Sequence, residues 1–237
     1  MPEDFTLLTG SAMALPLVLW FAYGVILRAF GRGSLNEQLT FVRARWLMTS
    51  LSRAQKPFDA ILLGHIVNSI AFFGSATMLV LAGLVTLFAS AQTSYGLLAS
   101  AEGQAVMSFE LFLVYLALAT GVLAISFFSF TYALRKLIYV IALFGALPEN
   151  ASPEAIPERD IMVREASSVL TEALKTFNFG IRGYYYFVSV LCLFISPMVS
   201  LAMTGAVTAI LIYRQVGSVT AAAIRRYVQA VERLDEP

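Results

Sequence analysis

All sixteen Lys and Arg residues of this 237-residue chain lie outside two long stretches, 1–27 and 57–134, and both stretches are overwhelmingly apolar. A bilayer excludes charge from about 20 consecutive residues per spanning helix, whereas a soluble domain scatters charge over every exposed face. The distribution therefore predicts an all-α fold: a polytopic membrane helix bundle of about four transmembrane helices with amphipathic surface helices beside them. Only 13% of the residues are charged and 59% are hydrophobic, against roughly one-quarter charged in soluble domains. The net charge of +1 conceals basic segments alternating with charge-free ones, and nothing in it points to nucleic acid. The single cysteine, Cys192, sits in an apolar run, forms no internal disulfide and reads as a small buried hydrophobe. Glu3 and Asp4 precede the uncharged run 5–27. A signal peptide has a basic segment there, so the run reads as a retained span.

Four spans fit, at about 7–27, 61–90, 109–134 and 184–213, within a single transmembrane domain covering 1–237. The first carries Pro16 and Gly24, both tolerated in membrane helices, and ends at Arg28 and Arg32. Gly31 and Gly33 break it. Ser34 and Glu37 then have capping-box spacing and start a surface helix over 34–56. Leu35, Leu39, Val42 and Trp46 recur at helical spacing with Arg43, Arg45 and Arg53 off that stripe, so this helix is basic and amphipathic. It either lies on the membrane or packs on the bundle.

In the second span Gly64, Asn68, Ala71, Ser75, Met78 and Ala82 fall on one face, nearly all small or polar. Such a face seeks protein, because helices in lipid associate through close packing of small residues and through hydrogen bonds. It reads as a packing seam or as the lining of a polar pathway. His65, near the basic end, has no second His and no acidic neighbour at helical spacing, so it reads as interfacial or paired within the bundle and not as a metal ligand. The segment 91–108 reads as a loop with Glu102 and no basic residue. The third span adds Thr120, Gly121, Ala124, Ser126 and Ser129 and ends at Arg135 and Lys136, which anchor the interface. The apolar piece 137–147 is too short to cross and either continues the helix or is partly embedded. Pro148, Pro153 and Pro157 mark a linker over 148–159.

A further amphipathic helix follows over 160–178, with Val163, Ala166, Leu170, Leu174 and Phe177 as its stripe. Beyond Arg182, the aromatic residues Tyr184, Tyr185 and Tyr186 suit the headgroup level. Pro197 lies near the middle of the last run, which is longer than one perpendicular crossing needs. The run either kinks there or breaks into two half-helices; the simpler expectation is one kinked crossing. A short polar helix over 218–234 closes the chain.

Several stretches resemble an integral-membrane family of bacteria and plants, domain-of-unknown-function family 599. They are Arg43-Ala-Arg-Trp46; Asn68 with Phe72-Phe-Gly-Ser-Ala-Thr77; Phe127-Phe-Ser-Phe-Thr-Tyr-Ala-Leu-Arg135 with Gly145-Ala-Leu-Pro148; and Phe177-Asn-Phe-Gly-Ile-Arg-Gly-Tyr-Tyr-Tyr186. The resemblance continues through Pro197 to Tyr213-Arg214. It implies a polytopic membrane protein of about four spans and no particular activity. The chain departs from the family pattern at Val67, where an Arg is usual, at Gly74 for an Ala, and at Ser129 for a Lys.

Three classes of function follow. The first is a self-associating bundle acting as a passive channel or transporter for ions or small solutes, with Gly64, His65, Asn68, Ser75, Ser126 and Ser129 as the candidate polar face. No charge lies mid-span, which argues against a coupled pump. The second is a scaffold or assembly subunit that meets another membrane protein. An intramembrane enzyme comes last: no catalytic grouping, metal-ligand cluster or phosphate loop is present, and no cofactor is expected. Membrane lipid is a partner in any case, with Arg43, Arg45, Trp46, Arg135, Lys136, Arg182, Tyr184 and Tyr185 as candidate anchors. A bacterial inner membrane is expected from the resemblance and from the absence of an organelle-targeting segment. The positive-inside rule places the N-terminus outside and the basic segments 28–56 and 135–182 inside. Four crossings would leave Arg214, Arg225, Arg226 and Arg233 outside, against the rule.

Overall fold

Within hydrocarbon every backbone N–H and C=O must find its partner inside the same segment or a closed sheet, so long apolar segments become helices. The computed structural model describes residues 5–29, 35–53, 57–101, 107–148 and 152–235. They form eight α-helices and no strand: α1 (Leu7–Ala29), α2 (Leu35–Ser52), α3 (Pro57–Ala89), α4 (Ala91–Ala101), α5 (Phe109–Gly145), α6 (Ile156–Leu191), α7 (Pro197–Val216) and α8 (Val219–Asp235). Among the described residues four helical stretches are long and apolar enough to cross a membrane: α1, α3, α5, and the one that opens with α7. The all-α membrane architecture expected from the charge distribution is therefore present. Arg32, Lys56 and Glu102, together with the Gly31–Ser34 start of the capping box, lie outside the described residues.

Several boundaries differ from those read in the sequence. The segment 91–108 is not all loop, because α4 occupies its first part. Ser90 N and Ser94 N bond Thr86 O and Ser90 O at 3.1 and 3.0 Å, so the helical hydrogen-bond ladder carries on past the break. α5 runs without interruption through Arg135 and Lys136 to Gly145; at about 1.5 Å per residue its 37 residues reach about 55 Å, well beyond a bilayer core of about 30 Å. The linker over 148–159 is shorter than expected. Pro157 falls in the first turn of α6, where a missing N–H costs nothing.

The largest difference concerns Pro197. The run 184–213 is not one kinked helix. α6 begins as the amphipathic helix and continues through the tyrosines to Leu191, a 3₁₀ turn follows at Cys192–Phe194, and α7 starts at Pro197. Ile195 N and Ser196 N both bond Cys192 O, at 3.1 and 3.0 Å. Proline at the first position of a helix loses no hydrogen bond and carries a φ suited to that turn, so Pro197 begins a helix here. The chain then folds back. Tyr186 Oη and Thr208 Oγ1 share a hydrogen bond of 3.0 Å, and Ser200 Oγ donates to Ser189 O at 2.8 Å. Residues on either side of the turn thus meet in pairs, as in an antiparallel helical hairpin.

The chain divides into two contact units, which are described separately. The first draws its residues from Met1–Val25, Gly74–Phe128 and Phe179–Ile210. Its core holds Trp20, Tyr115, Leu123, Tyr186 and Leu193, each at most 1% exposed. Phe194 meets Phe112 and Tyr115 edge-on at 5.7 and 5.6 Å, and Tyr95 Oη of α4 donates to Met107 O at 2.8 Å. The second unit draws on Ile26–Phe73, Ser129–Asn178 and Leu211–Pro237. Phe73, Phe130 and Phe177 form a ring cluster with centroids 5.6–5.9 Å apart. The expected stripe on α6 is buried through Val163, Ala166 and Leu170, while Arg164, Glu165, Glu172 and Lys175 are exposed. Also in this unit, α8 packs on α2. Every described Lys and Arg except Arg182 belongs to the second unit.

Candidate functional site

Among the described residues the small and polar face of α3 is mostly exposed. α3 buries Asp59, Leu63, Ile70, Gly74, Thr77 and Leu84, whereas Asn68, Ser75, Met78 and Ala82 are exposed and Gly64 and Ala71 half-buried. His65 is exposed as well. Spacing of about 100° per residue puts Gly64, Asn68, Ser75 and Ala82 within about 40° of one another on one flank of the helix. The flank borders the apolar sector of Ile61, Phe72 and Leu79, which are 58%, 68% and 77% exposed. The hydroxyl of Ser69 satisfies itself on His65 O at 2.8 Å, a routine arrangement for hydroxyls in membrane helices.

Ser126 and Ser129 do not join that face. Ser126 is fully buried in the first unit, its Oγ donating to Val122 O at 2.9 Å, and Ser129 is half-buried in the second. Ser126 belongs to a tight junction of α1, α5 and α6. A Cβ on Gly183 would overlap Ser126 Oγ and lie 2.7 Å from Trp20 Cζ2. Trp20 Nε1 donates to Phe179 O at 3.0 Å, and the two rings stack at 4.8 Å. Beside them the Arg182 guanidinium covers the Tyr23 ring at 4.7 Å and approaches the Phe179 ring at 5.8 Å. Its Nε is buried and has no hydrogen-bond partner among the described residues. Cation–π contact keeps this cation inside the bundle.

The tyrosines expected at the headgroup level are used inside. Tyr186 is fully buried, Tyr184 Oη hydrogen-bonds Thr77 Oγ1, and Tyr185 is half-buried. A phenol in an apolar bundle lowers its cost by finding a hydroxyl on a neighbouring helix. Among the cationic anchors, Arg135 is exposed and bonds Tyr139 Oη at 2.9 Å. Lys136 bonds Thr176 Oγ1 at 2.8 Å and lies 4.5 Å from the Tyr132 ring.

On α2 the expected stripe is displaced. Leu47 and Ser50 are the buried positions, Arg45 is exposed, and Arg43 is half-buried instead of pointing away. Burial pulls the Arg43 guanidinium below its ordinary pKa. The reason for the displacement is Asp59, which the sequence reading passed over. Asp59 is 2% exposed. It accepts from Trp46 Nε1 at 2.6 Å and forms an ion pair with Arg53, which turns α2 to meet the first turn of α3. The only signal in the sequence is a lone carboxylate after Pro57 at the head of an apolar run. Trp46, Leu47, Asp59, Leu63, Val140, Phe144 and Leu170 line a seam there that leaves no room for a water molecule. Among the described residues no three His, Cys, Asp or Glu side chains come together to hold a metal ion.

Apolar spanning helices, hydroxyls that bond within the bundle and a second unit carrying nearly all the cations define an integral membrane protein of the helix-bundle class. The chain belongs to the family described as "Protein of unknown function, DUF599", whose family model matches residues 11–220. No curated protein and no solved structure matches it.

Proposed function

We propose that the protein assembles with copies of itself through the outward flank of α3, and that the assembled bundle is a passive channel or transporter for ions or small solutes. A bacterial inner membrane is its location, and its role is not enzymatic. The observation that carries this reading is the exposure of Asn68 and Ser75 on an apolar spanning helix. In hydrocarbon an exposed carboxamide is costly, and the nearest remedy is another helix. Asn is both donor and acceptor, so Asn68 can pair with its own counterpart across a two-fold axis. Gly64, Ala71 and Ala82 on the same flank let two backbones approach closely.

Asn68→Leu tests it. One interhelical hydrogen bond in a bilayer contributes about 0.6–2 kcal/mol, so the variant should dissociate roughly 3- to 30-fold more readily and conduct correspondingly less after reconstitution. Ser75→Cys, in a Cys192→Ser background, should crosslink to itself in native membranes. A protein that runs as a monomer in mild detergent and leaves liposomes impermeable would remove the reading. Crosslinks to a different protein would instead support a scaffold subunit.

The α6–α7 hairpin also bears on sidedness. We propose that the chain enters the membrane along α6 and turns back at 192–196 beside α7, so that Arg214, Arg225, Arg226 and Arg233 return to the side of Arg135 and Arg159, in keeping with the positive-inside rule. A cysteine at Glu232, an exposed position on the polar flank of α8, again without Cys192, should resist a membrane-impermeant maleimide in intact cells and react once the membrane is opened. Labelling from outside would overturn this arrangement.

A further inference from the structure

We propose that α8, seated on α2, is an interfacial helix whose arginines bind anionic phospholipid headgroups while a second apolar strip of the same helix lies among the acyl chains. α8 meets α2 through a sector in which Ala221 and Val228 are buried. A helix that merely packed on a neighbour would be polar elsewhere. Instead Val219, Tyr227 and Leu234 are 81%, 57% and 80% exposed. With Ala223 and Ala230, also exposed, they form a strip that helical spacing of about 100° per residue sets apart from the sector on α2. Arg226 and Arg233, seven residues apart and both exposed, border that strip. Arg225 lies farther round, with Glu232 beside it on the flank away from the strip.

Depth supports the same occupant. Only Gly217 and Ser218 separate α8 from the apolar helix α7, and Ser218 Oγ caps α8 by accepting from Ala221 N at 3.1 Å. Gly217 lets this turn close, since a Cβ there would sit 3.1 Å from the Tyr213 ring. α8 therefore begins where a spanning helix ends, with Arg214 in the last turn of α7. An apolar strip bordered by arginines at that level matches a leaflet of anionic lipid, which offers phosphate above and hydrocarbon below. Water alone would leave the strip exposed.

The inference stands apart from the α3 contact, and Asn68→Leu should leave it unchanged. The full chain, with a nitroxide at Leu234→Cys in a Cys192→Ser background, is placed in nanodiscs of phosphatidylcholine with and without phosphatidylglycerol. The label is expected to be relaxed by oxygen and shielded from an aqueous nickel chelate. Spin-labelled phosphatidylglycerol should be enriched over phosphatidylcholine around the protein. Each arginine at the surface carries up to about fivefold in that preference at low salt, so Arg226→Gln with Arg233→Gln should remove most of it and Arg226→Lys with Arg233→Lys should keep it. A label open to the chelate, or a preference unaltered by the glutamine pair, overturns the proposal. Shielding from both reagents that grows with protein density would also overturn it, assigning the strip to a second copy.

Discussion

Replacing Asp59 with alanine is expected to lower stability by about 2–4 kcal/mol, seen as a thermal midpoint roughly 4–16 °C lower in detergent. The carboxylate is 2% exposed, accepts from the Trp46 indole at 2.6 Å and pairs with Arg53. It also lies in the first turn of α3, where the helix dipole favours a negative charge. Alanine would leave the Trp46 N–H and the Arg53 guanidinium without this acceptor and would free the corner between α2 and α3. Asp59→Asn should cost about half as much, because it still offers Trp46 an oxygen. Arg53→Gln should cost a comparable amount: the arginine side chain is 32% exposed, but its loss leaves the Asp59 carboxylate, 2% exposed, without a counter-charge. A midpoint shift below about 2 °C for Asp59→Ala would show that this corner does not hold the fold.

Gly183→Ala should be nearly as damaging for the opposite reason, a surplus of atoms. The new methyl overlaps Ser126 Oγ and comes within 2.7 Å of Trp20 Cζ2. Trp20 has nowhere to go, being fully buried, stacked on Phe179 and bonded to its carbonyl. Overpacking of this kind costs about 1–3 kcal/mol. Ser126→Ala should recover part of the loss in the double variant, because it removes one of the two obstacles and leaves the ring. The two substitutions share this contact and are expected to be non-additive. Strict additivity of the two midpoint shifts would place the obstruction elsewhere.

Much of the architecture was open to reading, and the misses share a cause. The apolar segments, the two basic regions and the stripe of Val163, Ala166 and Leu170 were legible, since each depends on local composition and helical period. The flank of Asn68 and Ser75 was legible as a face. Whether it lined the inside of the chain or stood outside was not. Ser126 and Ser129 read alike as span serines, yet one fills the space beside Gly183 and the other does not. Asp59 looked like an ordinary charge at a helix start because its partners, Trp46 and Arg53, are on another helix. Tyr184 and Tyr186 fitted the headgroup level on chemistry alone; Thr77 and Thr208, on α3 and α7, draw them inside.

Pro197 marks the division most clearly. Proline is compatible with a kink inside a membrane helix and with the first residue of a new one, so the sequence around it allows both. The choice rests on pairs such as Tyr186 with Thr208 and Ser189 with Ser200, which come within reach only when α6 and α7 lie side by side. By itself the sequence determined that this is a helical membrane protein and where its spanning segments lie, because excluding charge from hydrocarbon is a sum over neighbouring residues. Only the tertiary structure decided where the chain turns back, which polar groups are satisfied inside and which face of α3 stays uncovered. Those outcomes depend on atoms brought together from distant elements, and no local sum contains them.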